Sequence, residues 1–226
     1  MSAKKLINIE VSREIELPDE CKNGFLKLKR YKLKNVYENN EKSREYTCDI
    51  VYRKQVDAVG ILLYFYENNS VKILLRRCLR PPLFFRKNFV KYDFENENNF
   101  FVYEIPAGII EEGETKEEDI DKRAEIEVLE ETGIKINKEN LINLGKPILT
   151  SPGFTIEKVF IKAIRIDKKD FDNREHVTGD GSLMEEGGEL HIFTIEEALE
   201  MCYNGEIGDS KTEIALYRLK KFLKQF

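Results

Sequence analysis

The chain has 226 residues, 41% of them hydrophobic and 35% charged, which is enough to bury a core of its own. A formal net charge of −5 and a pI near 5.4 argue against a general binder of nucleic acid or of anionic membrane surfaces. Four cysteines without a C-x-x-C pair and two isolated histidines, His176 and His191, speak for unpaired thiols in a reducing compartment and against zinc.

The opening residues, MSAKKLINIEVSREIELPDE, hold no apolar run of signal-peptide length, and no later segment approaches a membrane span, so the cytoplasm is the expected compartment. Residues 26–36 alternate as a strand does. A turn-like Glu38-Asn39-Asn40-Glu41 then leads to a second strand over 45–53, and the first fifty or so residues read as a hairpin. Two strands alone are marginally stable and need a surface to pack on. Residues 59–66 and 71–76 read as core strands of a mixed sheet, joined by a turn at Asn68-Asn69. The aromatic and polar stretch 84–100, FFRKNFVKYDFENENNF, has no period and reads as a surface insertion. Residues 101–105 form a strand running into Pro106-Ala107-Gly108, and 141–149 and 156–166 form two more, the second with alternating Val159, Ile161 and Ala163. Thr194 with Glu197, and Ser210 with Glu213, have the capping-box form and start two C-terminal helices.

The most telling segment lies between Gly108 and Gly133. Thr115 and Glu118 have the form of a capping box and Gly133 that of a left-handed stop, which predicts a helix over 116–132. Glu127, Glu130 and Glu131, at i, i+3 and i+4, then share one face in its last two turns. The macrodipole is negative there and like charges at this spacing repel, each effect costing a few tenths to about 1 kcal/mol. Three acids held against that cost point to a divalent cation, and oxygen-only donors point to Mg²⁺ or Mn²⁺. Glu117, Glu118, Asp119 and Asp121 in the same helix are read as a solvated face.

Gly108, Glu114 and the run Glu127-Val128-Leu129-Glu130-Glu131-Thr132-Gly133-Ile134 resemble the Nudix box, G-x5-E-x7-R-E-U-x-E-E-x-G-U with U aliphatic. Twelve residues separate Glu114 from Glu127 where the pattern has eight, an insertion of four that is close to one helical turn. Ile126 stands in the arginine slot, and Arg123, one turn earlier, could supply the missing charge. The segment ILLRRCLRPP at 73–82, the run Ser151-Pro152-Gly153-Phe154-Thr155 with Glu157, and the stretch from GSLMEEGGELHIF to GEIGDSKTEIALYRL are similar to the nucleoside diphosphate sugar pyrophosphatases of that superfamily, the ADP-ribose and UDP-glucose branch. Together these likenesses run from about Gly24 to Phe222.

The resemblance implies an α/β Nudix fold, a mixed β-sheet sandwiched between helices. Residues 1–55 would form an N-terminal antiparallel β extension that serves a homodimer, and residues 56–226 the hydrolase domain. It implies Glu127, Glu130, Glu131 and the Ala107 carbonyl as metal ligands, with Gly108, Glu114 and Gly133 structural. Glu186, then Glu185, are the candidate general bases on a loop that Gly187 and Gly188 would let close, and Glu130 is a further catalytic candidate. Arg80 is the first candidate for a phosphate clamp, with Arg77 and Arg76 weaker, because a guanidinium fork matches phosphate oxygens. Ser151, Gly153, Phe154 and Glu104 complete the expected substrate contacts. The implied reaction is metal-dependent cleavage of a nucleoside diphosphate sugar; the alternative is a module of this fold that binds such a nucleotide without cleaving it.

Overall fold

A computed structural model describes residues 6–19, 24–86, 88–89, 92, 100–175, 177 and 188–224. Glu185, Glu186, His176 and Cys21 lie outside the described residues. The chain divides into two compact units, Met1–Val56 with Leu149–Lys158, and Asp57–Ile148 with Val159–Phe226.

The first unit holds a three-stranded antiparallel sheet, β1 (Leu6–Ile15), β2 (Lys27–Tyr37) and β3 (Tyr46–Tyr52), in that order. The expected hairpin is β2 and β3, paired from Lys27 with Tyr52 to Leu33 with Tyr46. Asn40 in the intervening turn has φ 64°, a conformation asparagine tolerates. β1 adds a third strand to the expected hairpin, its pairing with β2 slipping in register near Asn8 and Arg13. Residues 149–158 join this unit through the bridge of Val51 with Thr155 and the bond from Val51 N–H to the Phe154 carbonyl. Arg53 Nη2 lies 2.7 Å from Glu157 there.

The second unit is built on a mixed sheet with the path β11 (Glu189–Thr194), β5 (Ser70–Leu79), β4 (Ala58–Glu67), β10 (Lys158–Arg165) and β8 (Ile142–Asn143). β6 (Phe101–Glu104) pairs with β5, β7 (Ala107–Ile109) with β4, and β9 (Ile148–Leu149) with β10. β10 is parallel to β4, and the pairings of β8 with β10, β11 with β5, β4 with β5, β7 with β4 and β6 with β5 are antiparallel. Asn68 and Asn69, at φ 50° and 60°, close the expected β4–β5 turn. The single strand expected over 141–149 is two short pieces, β8 and β9, parted by Gly145 at φ 89°.

Period two along the strands decides which helix covers which face. Val59, Ile61, Leu63 and Phe65 of β4 pack with Ile120, Ala124 and Val128 of α2 (Glu117–Thr132). Leu62 and Tyr64 face the other way, onto Ile195 and Ala198 of α4 (Ile195–Tyr203) and Ala215, Leu216 and Leu219 of α5 (Ser210–Leu223). Each fully buried large side chain contributes about 1.5–3 kcal/mol, so β4, buried on both faces from Val59 to Phe65, anchors the unit. Short helices α1 (Pro81–Arg86) and α3 (Lys168–Asp172) complete the elements. Among the described residues, no helix is long and apolar enough to cross a membrane.

Two of the predicted caps move by one residue. The cap of α2 is Lys116 rather than Thr115, and the acid of its box is Asp119 rather than Glu118, accepting from Thr115 N at 3.1 Å and Lys116 N at 2.9 Å. Asp209 rather than Ser210 caps α5, accepting from Thr212 N at 3.0 Å. At α5 the ionised Asp209 carboxylate is a stronger acceptor than the adjacent Ser210 hydroxyl and takes the cap. Thr194 and Glu197 form the expected box on α4.

Candidate active site

The Pro106-Ala107-Gly108 turn and the last half of α2 come together in the second unit. Gly108 pairs with Val59 of β4, and a Cβ placed on it would lie 1.8 Å from Cδ of Glu127. Only glycine lets the backbone meet that carboxylate so closely. Ala107 N–H lies 3.3 Å from Oε2 of Glu131. Glu127 and Glu131 are therefore brought to one turn, with side chains 14% and 10% exposed.

Glu130 is exposed. At ~100° per residue it falls opposite the buried stripe of Ile120, Ala124, Val128 and Thr132, while Glu127 and Glu131 flank that stripe. The three acids expected on one face thus divide, two toward the turn and one toward solvent. Among the described residues, no three His, Cys, Asp or Glu side chains are gathered as a metal site. The donor chemistry at the turn still suits a hard divalent ion, with two carboxylates converging beside a backbone turn.

Two arginines neutralise these acids. Arg123 donates to Glu114 from Nε at 3.2 Å and Nη2 at 2.9 Å, and its Nη1 lies 3.8 Å from Glu127. Glu114 also accepts from Glu111 N at 2.8 Å. Partial burial works against the Glu114 carboxylate, but the Arg123 and Glu111 bonds outweigh it and hold its pKa below the ordinary value. Arg76, 4% exposed, places Nη1 3.5 Å from Glu131. Gly133 ends α2 at φ 70°, its N–H bonded to the Leu129 carbonyl.

The expected substrate arginines have other neighbours. Arg80 donates to Glu104 at 2.5 Å, and Lys211 reaches the second oxygen of Glu104 at 2.5 Å and Asp209 at 2.9 Å. Burial opposes the charge on Glu104, but Lys211 and Arg80 overcome it and hold its pKa below the usual carboxylate value. Burial likewise opposes the charge on Arg80, and the Glu104 bond and charge leave its pKa raised. Arg77 lies over the Phe101 ring, 4.2 Å from its centre. Ser151, Gly153 and Phe154 belong to the first unit, where the Ser151 carbonyl accepts from Phe154 N and Thr155 N, and Phe154 is 56% exposed.

Of the acids read as a solvated face, Glu117 and Glu118 are exposed as expected, at 70% and 78%. Asp121 differs, lying 2.7 Å from the ammonium of Lys162, whose side chain is 3% exposed. Lys162 sits on the α2 side of β10 between apolar neighbours, and a buried ammonium requires such an acid. His191 packs its ring edge-on to Tyr103 at 5.2 Å. Cys48, Cys78 and Cys202 are free thiols, and burial pushes Cys78 up to about 11.

No family model and no curated protein matches the sequence. A solved structure described as an ADP compounds hydrolase is similar in fold, with a TM-score of 0.58 at 14% sequence identity over 100% of this chain and 96% of that one. With the sheet and helix layers above, that likeness shows the α/β fold of that hydrolase, a mixed sheet between helices with an antiparallel N-terminal sheet.

Proposed function

We propose that this chain is a metal-dependent hydrolase that cleaves the diphosphate of a nucleoside diphosphate sugar, of ADP-ribose or UDP-glucose type, to a nucleoside monophosphate and a sugar phosphate. The observation that carries the reading is the convergence of Glu127 and Glu131 on the Ala107-Gly108 turn, where the Gly108 backbone leaves no room for a side chain. The fold it shares with a hydrolase of ADP compounds supports it. Residues 56–226 form the hydrolase domain in this reading.

Glu127, Glu131, Glu130 and the Ala107 carbonyl would hold Mg²⁺ or Mn²⁺. Such an ion neutralises the diphosphate, orients it and makes water a better nucleophile. Glu186, with Glu185 next, takes the proton of the attacking water. The new bond forms between that oxygen and phosphorus, and the bond from phosphorus to the bridging oxygen breaks. Arg80, positioned by Glu104, and Arg77 meet the phosphates. The exposed Phe25 (73%), Leu26 (55%) and Val11 (59%) of the first unit support a homodimer formed through its sheet, which sedimentation equilibrium tests.

A second reading, a module that binds the nucleotide sugar without cleaving it, is favoured by the arginines beside Glu127 and Glu131, which occupy the charge a metal would need. One assay separates the two. Release of AMP or UMP from ADP-ribose, UDP-glucose and ADP-glucose is measured with Mg²⁺, Mn²⁺ or Co²⁺. The hydrolase reading expects turnover that falls several hundred-fold in Glu131→Gln, the scale of losing one charge-stabilising group. No turnover with any of the ions, or full turnover in that variant, sinks it.

A further inference from the structure

Three arginines crowd the end of β5, and they have different neighbours. Arg80 is clamped to Glu104 at 2.5 Å, and Arg77 stacks over Phe101. Arg76 shares the face of Leu74, toward α2, because alternate residues of a strand point the same way. Its side chain is 5% exposed, and its Nη1 lies 3.5 Å from Oε1 of Glu131. A firm charge-assisted hydrogen bond is about 2.7–2.9 Å long. The pair is thus held by charge more than by a directed bond.

The same guanidinium also lies against the chain that follows the acidic segment. A Cβ on Gly188 would come within 2.5 Å of Arg76 Nε and 2.7 Å of Nη2, so the backbone there rests on it. The next residues, Glu189 and Leu190, pair with Arg77 and Arg76 across β11 and β5. Arg76 therefore touches both Glu131 and the strand-side end of the segment that carries Glu185 and Glu186.

A guanidinium and a divalent ion cannot share one carboxylate without penalty, because charges of +1 and +2 a few ångströms apart repel strongly even at the effective dielectric of a protein. We propose that Arg76 is a built-in cation that occupies Glu131 until a divalent ion takes that carboxylate, and that a diphosphate is the anion which then satisfies the released guanidinium. The inference rests on the reading of Glu127 and Glu131 as metal-holding residues. It makes Arg76 a brake on metal binding by the protein alone and a substrate contact once the ion is in place. The two ligands then load cooperatively, each removing the obstacle to the other.

The test uses the full chain and two probes in titration calorimetry, Mn²⁺ alone and ADP at saturating Mn²⁺. Arg76→Met keeps the bulk and removes the charge. It is expected to bind Mn²⁺ about tenfold more tightly than wild type and Mn²⁺-ADP about tenfold more weakly. Arg76→Lys keeps the charge without the fork, so Mn²⁺ affinity stays at the wild-type value while Mn²⁺-ADP affinity drops several-fold. The lysine variant carries the test if the methionine variant does not fold. Unchanged or weaker Mn²⁺ binding in Arg76→Met, or a lysine variant matching wild type with both probes, overturns the proposal. Equal Mn²⁺ binding by wild type and Glu131→Gln would instead remove the metal reading itself, an outcome separate from the role of Arg76.

Discussion

Arg123 grips Glu114, nine residues earlier in the chain, with two hydrogen bonds of 3.2 and 2.9 Å, and the same guanidinium lies 3.8 Å from Glu127 one turn further along α2. Arg123 stands one turn before Glu127 on α2 and shares its face, as residues at i and i+4 of a helix do. The brace ties the loop before α2 to the acid that packs against Gly108.

That brace can be measured. Arg123→Met and Glu114→Gln are each expected to lower unfolding free energy by about 1 kcal/mol, since both partners are only partly buried. Because they break the same contact, the double variant should lose far less than the sum. Urea denaturation of the four proteins closes the cycle, and additive losses would show that the pair is not coupled.

Gly108→Ala places a methyl group where the Glu127 carboxylate now sits, 1.8 Å from its Cδ. The atom displaced is the end of a flexible side chain, so the loss in melting temperature should be small. The loss in Mn²⁺ binding should be large, tenfold or more if Glu127 is a ligand. Calorimetry beside a thermal melt reads both, and a variant that melts early yet binds Mn²⁺ normally contradicts the expectation.

Two glycines with positive φ should respond differently to the same change. At Gly133, φ 70°, a Cβ would lie 2.1 Å from the Glu175 carbonyl oxygen, a backbone atom that cannot swing away. Gly133→Ala is expected to cost about 3 kcal/mol or more, from strain and overpacking together. At Gly113, φ 94°, nothing lies within 4 Å, and Gly113→Ala should cost only the strain, about 1–2 kcal/mol. Denaturation midpoints of the two variants give the comparison, and equal losses would refute it.

Glu104 predicts a pH dependence. Lys211 and Arg80 hold its folded pKa below the ordinary 4.5, so the stability it contributes is present above that value and is lost as pH falls through the folded one. Glu104→Gln, which leaves Lys211 buried beside half of its former charge partners, should cost about 3 kcal/mol at pH 7. The gap from wild type should narrow as the pH drops below 4.5, because the unfolded chain's carboxyl takes up a proton there while the native one is still held ionised by Lys211 and Arg80. Unfolding free energies of both proteins at pH 7 and pH 3.5 test the sign, and a gap that widens in acid rules the account out.

Much of the fold is legible because its signals are local. The extent of α2, its stop at Gly133, the asparagine turn after β4 and the box that starts α4 each follow from residues within a turn of one another. The cap of α5 shifts by one residue because the Ser210 hydroxyl and the Asp209 carboxylate are neighbours and the stronger acceptor wins, whereas at α2 the whole box shifts by one, to Lys116 and Asp119. Asp121 was read as solvated because its partner, Lys162, arrives from β10, far along the chain.

By itself the sequence determined β4, β5, α2 and the two C-terminal helices, the acids carried near the end of α2, and the glycine that has to stand beside them, because spacing of 3.6 or 2 residues and the absence of a Cβ are properties of neighbouring residues. Only the tertiary structure decided that Glu127 and Glu131 turn to Ala107-Gly108 while Glu130 faces solvent, that Arg76 rather than Arg80 stands at Glu131, and that Glu104 is shared by Arg80 and Lys211. Those pairings bring together β5, β6, α2 and α5, and which charge meets which is settled by the face of a buried strand on which each side chain falls.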